Sequence, residues 1–387
     1  MLIGIPKEIT PGENRVAAIP ETVMKFIDLG FDVAVEASAG EGVFISDGEY
    51  ELAGAKLFSD SERLYAQSDV IIKIKPPDFN KRFERHEVNM LRKKSILIAH
   101  FQSESADNRY MLQQYRKKNI TVLNMDGVPR ISRTLKMDVS YSMGIITGYK
   151  AVLMAINRMQ KFAPMIEMAM GSIPPAQFLI IGAGVVGRQA IVTAKHFGGV
   201  VTVIDIQKSA CNEAKRLGAK ALEFNFPRYP AVNISGNINF LTEKWLEIEH
   251  RFISPHIEDA DVVILSAHVP HETAPMLVTE QMVSTMKSGS VIVDIAINQG
   301  GNCEVTEPGK IIQQTGVYIF GAGDIPQKMA THASLLYANN MYYYVKHLFK
   351  NGPRKIDFND EIIKSSLVNH HAAIHFEGIP KARRKIL

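Results

Sequence analysis

Residues 177–205, QFLIIGAGVVGRQAIVTAKHFGGVVTVID, decide the fold. An apolar run over 178–181 ends in Gly182-Ala183-Gly184-Val185-Val186-Gly187, an amphipathic segment follows over 188–197, and a second apolar run closes on Asp205. That order reads as strand, tight turn, helix, strand. In such a unit the first glycine permits the sharp turn and the second lets backbone approach a pyrophosphate. The third lets the helix lie close on the strand, so that a diphosphate sits on the helix N-terminus. Asp205 follows the last glycine at the distance where an acid accepts hydrogen bonds from a ribose hydroxyl, and Ile206-Gln207 offers no arginine for a 2′-phosphate. The expected cofactor is therefore NAD(H) and not NADP(H). A GxGxxG alone is weak evidence, but here strands, helix and terminal acid agree.

The 387 residues correspond to about two or three domains. The chain is 46% hydrophobic and 22% charged, the composition of a soluble globular protein. Its net charge of +4 is small, and basic residues are scattered except in the terminal KARRKIL, so no nucleic-acid partner is expected and that tail reads as a solvated terminus. Cys211 and Cys303 lie outside any metal-ligand spacing and read as reduced thiols of a cytoplasmic protein. The opening MLIGIPKE is too short for a signal peptide, and no uninterrupted apolar run reaches the length of a membrane span. The expectation is a chain soluble by itself, able to dock on a membrane partner.

Outward toward the N-terminus, short apolar strands at 2–5, 32–36, 70–74, 96–99 and 121–124 alternate with helices such as 20–29 and 108–117. This predicts a second doubly wound sheet without a glycine fingerprint, a domain suited to holding substrate. Open sheets of this kind bind ligands beyond the carboxyl ends of their strands. Arg15 follows the first strand, Lys75 closes the third and His100 closes the fourth. The trio suits a 2-oxo or 2-amino acid: Arg15 pairs a carboxylate through two parallel bonds, Lys75 polarises a carbonyl or carries a proton, and His100 is the general acid/base.

From Asp126 a charged loop containing Pro129 leads into a helix read from Met143 onward, which crosses into the dinucleotide domain; GSIPPA is then a connector. Beyond Asp205 the chain predicts a helix over 208–217, an irregular polar stretch over 225–240, a helix over 243–252 and a strand over 261–268 that ends at Ala267 and His268. His268 and His271 read as loop residues, since no carboxylate or cysteine cluster completes a metal site. The strand SVIVDIAI ends in Asn298-Gln299-Gly300-Gly301, a turn whose glycines permit close backbone approach, which lets Asn298 touch the nicotinamide or the substrate. A strand over 317–320, a turn over 323–326 and a helix over 331–348 follow; that helix is expected to return to the first domain and make it discontinuous. Gly321-Ala-Gly323 is no second phosphate loop, because no helix opens at the right place.

Along nearly its whole length the chain resembles the alanine dehydrogenase and nicotinamide nucleotide transhydrogenase family. The resemblance is carried by IGIPKEITPGENRVAAIP, VPRISRTLKMD, the link from YKAV to SIPPA, GAGVVG, SVIVDIAINQGGNCEVTEPGK and LYANN. PRISR and GGNCEVTEPGK look most like the NAD(H)-binding portion of the proton-translocating transhydrogenase. The resemblance implies an α/β protein of two doubly wound, Rossmann-like domains with a hydride-transfer cleft between them. The expected division is 1–140 plus 323–387 for substrate and 141–322 for NAD(H). It also implies a homo-oligomer, dimer or hexamer.

Within the family the residues point two ways. In the transhydrogenases the PRISR loop continues with a glutamine and an aspartate, which with the arginine organise the nicotinamide. This chain retains Arg130 and Asp138, but Leu135 stands in the glutamine place and Tyr141 in a serine place. Leucine cannot make those hydrogen bonds, which counts against transhydrogenation. The amino-acid dehydrogenases use an arginine, a lysine and a histidine at the positions of Arg15, Lys75 and His100. They have an aspartate where this chain has Asn298, and an amide cannot exchange the proton that a carboxylate can, which counts against ordinary alanine chemistry. The expectation is an NAD-dependent oxidoreductase acting on a small 2-amino or 2-imino acid other than alanine, such as a secondary amine or cyclic imine. Its catalytic residues are Arg15, Lys75, His100 and Asn298. Its cofactor residues are Gly182, Gly184, Val185, Val186, Gly187, Asp205, Ile206, Ala267, Arg130 and Asp138, and no metal is expected. The alternatives are a transhydrogenase alpha subunit that passes hydride to an NADP(H)-binding partner, and a non-catalytic NAD(H) sensor.

Overall fold

The structure, a computed structural model, describes residues 1–101, 108–224, 243–269, 273–353, 355–371 and 373–374. The chain divides into two compact units, Met1–Met143 with Pro326–Leu387, and Gly144–Ile325.

The first unit is built on an eight-stranded sheet. From edge to edge its strands are Ala373–Ile374, Leu367–His370, Thr121–Asn124, Ile96–Ala99, Val70–Ile72, Leu2–Ile5, Asp32–Glu36 and Lys56–Phe58. All neighbours are parallel except the first two strands, which add the C-terminal segment antiparallel onto Thr121–Asn124. Val70–Ile72, Ile96–Ala99 and Thr121–Asn124 are buried throughout, as befits parallel strands covered on both faces. Pro20 opens the helix Pro20–Asp28, where its missing N–H costs nothing. The helix Ala330–Leu348 belongs to this unit and buries Ala333, Tyr337, Met341, Tyr344 and Leu348 at helical spacing.

The second unit carries a seven-stranded sheet in the order Lys220–Glu223, Val200–Asp205, Gln177–Ile181, Val262–Leu265, Val291–Asp294, Val317–Gly321 and Ile311–Gln314. Ile311–Gln314 is antiparallel and the rest parallel. The helix Val185–His196 packs Ala190, Ile191 and Ala194 into one core cluster with Phe178 and Ile180.

Several elements differ from their sequence reading for local reasons. The strand expected over 70–74 stops at Ile72, because the amide of Ile74 turns to the Glu8 carboxylate at 2.6 Å. The helix read from Met143 begins at Val139, where Asp138 precedes it and accepts from the Tyr141 amide at 2.8 Å. GSIPPA is no plain connector: Gly171–Ile173 pairs antiparallel with Ile166–Met168. The helix expected to end at 252 continues to Ile257 through Pro255, since Ile253 and Ile257 extend its buried stripe. The helix of the glycine turn starts at Val185 rather than 188, and the strand of 261–268 is confined to Val262–Leu265. The strand Lys56–Phe58 is additional.

Among the described residues one helix, Val139–Arg158, is long and apolar enough to cross a membrane, yet 56% of its apolar window is buried. Ala151, Val152 and Ala155 on it belong to the core of the second unit. Both cysteines are free and buried, and burial pushes the Cys303 thiol up to about 11. The stretch 225–240, His271 and the tail 381–387 lie outside the described residues.

Candidate active site

A doubly wound sheet opens a crevice where its strand order reverses. In the first unit the chain moves from Leu2–Ile5 outward through Asp32–Glu36 to Lys56–Phe58, then returns to the other side of Leu2–Ile5 as Val70–Ile72. The segments leaving Leu2–Ile5 and Val70–Ile72 therefore meet at the reversal, and they carry Glu8, Lys73 and Lys75. Lys73 is fully buried, 3.0 Å from Glu87 Oε2 and 3.5 Å from Glu8 Oε2. Burial works against its charge, but Glu8 and Glu87 outweigh that and hold its ammonium above the usual range. Burial pushes the Glu8 carboxyl up, against the pull of Lys73. Lys75, two residues on, is half-buried.

Arg15 is 5% exposed. Its Nε and Nη2 donate to the two oxygens of Glu13 at 2.7 and 2.5 Å, and its Nη1 to the Met143 sulfur at 3.3 Å. The two-bond face that sequence assigns to a substrate carboxylate is thus held by an internal carboxylate. Glu13 dominates the interactions that keep the guanidinium charged against burial, with Tyr337 and Glu8 adding to it. Tyr337 itself donates to the Lys73 carbonyl at 2.6 Å.

The His100 amide donates to the Ile74 carbonyl at 3.0 Å, which sets His100 at a strand end beside the Lys75 segment. Its Nε2 lies 3.6 Å from Asp126 Oδ1, longer than a hydrogen bond. Asp126 is fixed in turn: Ser140 Oγ donates to the same oxygen at 3.0 Å, and its amide donates to Asn124 Oδ1 at 2.9 Å. Asn124 Oδ1 also accepts from the Phe101 amide, at 3.0 Å, so one side chain ties the two segments that carry His100 and Asp126.

Arg130, 65% exposed along its side chain, lies 3.9 Å from Asp138, whose other oxygen caps the helix Val139–Arg158. Leu135 is 51% exposed, an apolar side chain presented to solvent.

In the second unit the reversal falls between Gln177–Ile181 and Val262–Leu265. Gly182 has φ +94°, and a side chain there would meet the Ser266 carbonyl at 2.8 Å. A side chain on Gly187 would collide with the Gly182 carbonyl, so both positions exclude any larger residue. Gly184 is exposed with open space around its Cα, at the N-terminus of Val185–His196, where Val185 and Val186 form the half-buried first turn. This is a cradle that a pyrophosphate can approach. Asp205 Oδ2 accepts from the Ala183 amide at 2.6 Å and Oδ1 from Gln207 at 2.7 Å. Burial pushes its carboxyl up, against those two bonds. A carboxylate offers about four acceptor sites, so lone pairs remain on Asp205 for further donors. Ile206 follows, half-buried.

Ala267 is gripped on both sides by Asn302, which accepts from its amide at 3.1 Å and donates to its carbonyl at 3.0 Å. Asp294, fully buried, gathers the amides of Ala296, Asn302 and Cys303 at 3.0, 2.9 and 3.0 Å and so shapes the turn Ala296–Gln299 that carries Asn298. Asn298 is half-buried, and its amide oxygen fills the space a Gly323 side chain would need.

Arg15, Lys75, His100, Arg130 and Asp138 lie in the first unit, and Gly182 to Gly187, Asp205, Ile206, Ala267 and Asn298 in the second. Sequence reading missed Glu8, Glu13, Lys73, Glu87, Asp126, Asn302 and Asp294. A lysine inside the apolar run VIIKIK was a signal for Lys73, since such a residue needs a carboxylate partner.

Two family models match the chain, the alanine dehydrogenase/PNT N-terminal domain over residues 4–147 and the C-terminal domain over 151–377. An NAD(P) transhydrogenase alpha-subunit chain of Rhodospirillum rubrum is 35% identical over 377 residues, 97% of either chain. The alanine dehydrogenase of Methanococcus maripaludis is 27% identical over 390 residues, 99% of this chain and 96% of that one. A transhydrogenase structure from Sinorhizobium meliloti superposes with a TM-score of 0.83 at 33% identity, covering 97% of this chain and all of that one. The chain belongs to the alanine dehydrogenase/PNT family.

Proposed function

We propose that the chain is an NAD-dependent oxidoreductase that moves hydride between NAD(H) and a small 2-amino or 2-imino acid, with substrate on the first unit and cofactor on the second. The observation that carries this reading is the strand-end placement of His100, with the Asp126 carboxylate 3.6 Å behind it and the Lys75 segment bonded to its amide. Bound NAD(H) gives or takes hydride at C4 of its nicotinamide. The turn at Gly182 to Gly187 receives the pyrophosphate and Asp205 the ribose, with Ile206 and Ala267 lining the same edge.

Arg15 pairs the substrate carboxylate, trading some of its Glu13 contact for it. Lys75 polarises the 2-oxo or imino group, and His100, with the Asp126 carboxylate 3.6 Å from its Nε2, moves the proton. Asn298 orients a water or hydroxyl and exchanges no proton, which favours a secondary amine or cyclic imine over alanine. We place the protein in the cytoplasm, from its two free cysteines, and read it as a homo-oligomer, as the family resemblance implies.

NADH oxidation against a panel of 2-oxo acids with ammonia or primary amines, plus cyclic imines, tests this. One panel member turns over, and His100→Ala lowers that kcat by about 10²–10⁴, the usual worth of a general acid/base. No turnover by any member, with NADH bound tightly, would overturn the reading.

The Rhodospirillum relative and the Arg130–Asp138 pairing favour a second reading, an alpha subunit that hands hydride to an NADP(H)-binding partner. Leu135 weighs against it, since an apolar side chain supplies no hydrogen bond where the transhydrogenases have glutamine. Reduction of an NADP⁺ analogue upon addition of such a partner would decide for it.

A further inference from the structure

We infer that Glu87 is a positioning residue for Lys75: one buried carboxylate that ties together both ends of the segment carrying the lysine. The inference rests on the reading of Lys75 as a catalytic group. The segment Lys73-Ile74-Lys75-Pro76-Pro77-Asp78 leaves the sheet at its reversal and returns without a helix or strand of its own. At the entry, Lys73 Nζ donates to Glu87 Oε1 and Oε2 at 3.3 and 3.0 Å. At the exit, the Asp78 amide donates to Glu87 Oε2 at 3.1 Å, and the Glu87 amide donates back to the Asp78 carbonyl at 2.9 Å. Between these ties Glu8 takes the Ile74 amide, Tyr337 donates to the Lys73 carbonyl, and His100 donates to the Ile74 carbonyl. Two prolines restrict the remaining dihedrals.

The energetics argue for placement over stability. Lys73, Glu8 and Glu87 are all within 1% of complete side-chain burial. Buried ion pairs of this kind are often matched in stability by apolar side chains of similar volume, so stability alone does not account for keeping three buried charges at this turn. Hydrophobic packing would hold the strand end without dictating where the next residues go. Glu87 dictates it, by joining an ammonium on one side of Lys75 to a backbone amide on the other. A reacting group displaced by about 1 Å loses up to a hundredfold in rate, so a loop that bears one gains from such a clamp.

The test compares wild type with Glu87→Gln and with a second, double variant in which Lys73→Met/Glu87→Gln removes the clamp's ammonium and carboxylate together and leaves Glu8, whose carboxyl burial already pushes up, as the remaining buried acid. Three quantities are read. NADH affinity, by fluorescence titration, reports folding of the cofactor unit and stays within about twofold. With the substrate found in the panel, kcat falls by at least about tenfold in both variants while KM moves by less than about threefold. Acylation of Lys75 by acetic anhydride across pH, followed by peptide mass spectrometry, shows a changed rate profile in both variants without any substrate. Wild-type kcat in the double variant, or an unchanged Lys75 acylation profile in both, overturns the inference. A changed acylation profile in a protein that turns over no panel member keeps Glu87 as the residue that positions Lys75 and rejects the catalytic reading alone.

Discussion

Both sheets reverse their winding once, and the two reversals are finished with opposite chemistry. In the second unit the edge is made of backbone: Gly182 turns through φ +94°, Gly187 presses on its carbonyl, and a helix N-terminus points outward. In the first unit the edge carries buried ion pairs, Arg15 on Glu13 and Lys73 on Glu8 and Glu87, with the His100 ring near Asp126. A diphosphate needs amides and close approach, which glycines supply without side chains. A small acid that changes protonation needs charges and a proton carrier, and these must be propped by further charges when removed from water. On the proposed reading the same topological feature serves two ligand chemistries by exchanging what fills it.

Variants that break one edge and spare the other separate these roles. The largest effect is expected at His100, where alanine lowers kcat by about 10²–10⁴ and leaves the NADH Kd unchanged. Comparable loss of NADH affinity would show that the two edges are not independent. Next is Gly187→Ala, whose new methyl meets the Gly182 carbonyl. Overpacking of this kind costs about 1–3 kcal/mol of stability, read by urea unfolding, and because it displaces the glycine turn itself NADH binding weakens as well in fluorescence titration. Asp205→Asn gives a smaller change: the amide still accepts one backbone bond, but the like-charge barrier to a 2′-phosphate disappears. The NADH over NADPH preference falls by about tenfold, on the scale of one charged hydrogen bond, in parallel titrations of the two dinucleotides.

The smallest effect lies away from both edges. Asp360 caps the helix Glu361–Ser366 and meets His347 and Lys350 at 2.9 and 2.7 Å. Burial pushes its carboxyl up, but the bonds from His347 and Lys350 outweigh that and hold it well below the usual carboxylate range. A depressed folded pKa gives stability that is present above the unfolded value, about 4, and lost as pH falls toward the folded one. Asparagine keeps the helix cap and loses the charge. Asp360→Asn should therefore cost about 1 kcal/mol or less in urea unfolding at pH 7, on the scale of a solvent-accessible ion pair, and progressively less below about pH 4. An equal cost at both ends of that range would contradict the assignment.

The backbone edge was legible in the sequence because its chemistry is contiguous: glycines, helix and Asp205 sit within residues 177–205. The candidates Arg15, Lys75 and His100 were legible as well, since Lys75 and His100 follow apolar runs and Arg15 comes after the first strand. What supports them was not. Glu8, Lys73 and Glu87 come from three separate segments, and nothing local tells a glutamate destined for burial from one on the surface. Asp126 likewise read as belonging to a charged loop, and only the parallel pairing of Ile96–Ala99 with Thr121–Asn124 brings it behind His100. The extra turns of Glu243–Ile257 escaped because Pro255 reads as a stop, while the burial of Ile253 and Ile257 overrides it.

The most direct test of the account follows the hydride itself. NADH carrying deuterium at C4 of the nicotinamide is incubated with the protein and the acid panel, and the products are weighed by mass spectrometry. The account predicts one amino acid product that carries the deuterium at C2 and is lost in His100→Ala. Deuterium absent from every acid, and recovered in NADPH once an NADP(H)-binding partner is supplied, would contradict it.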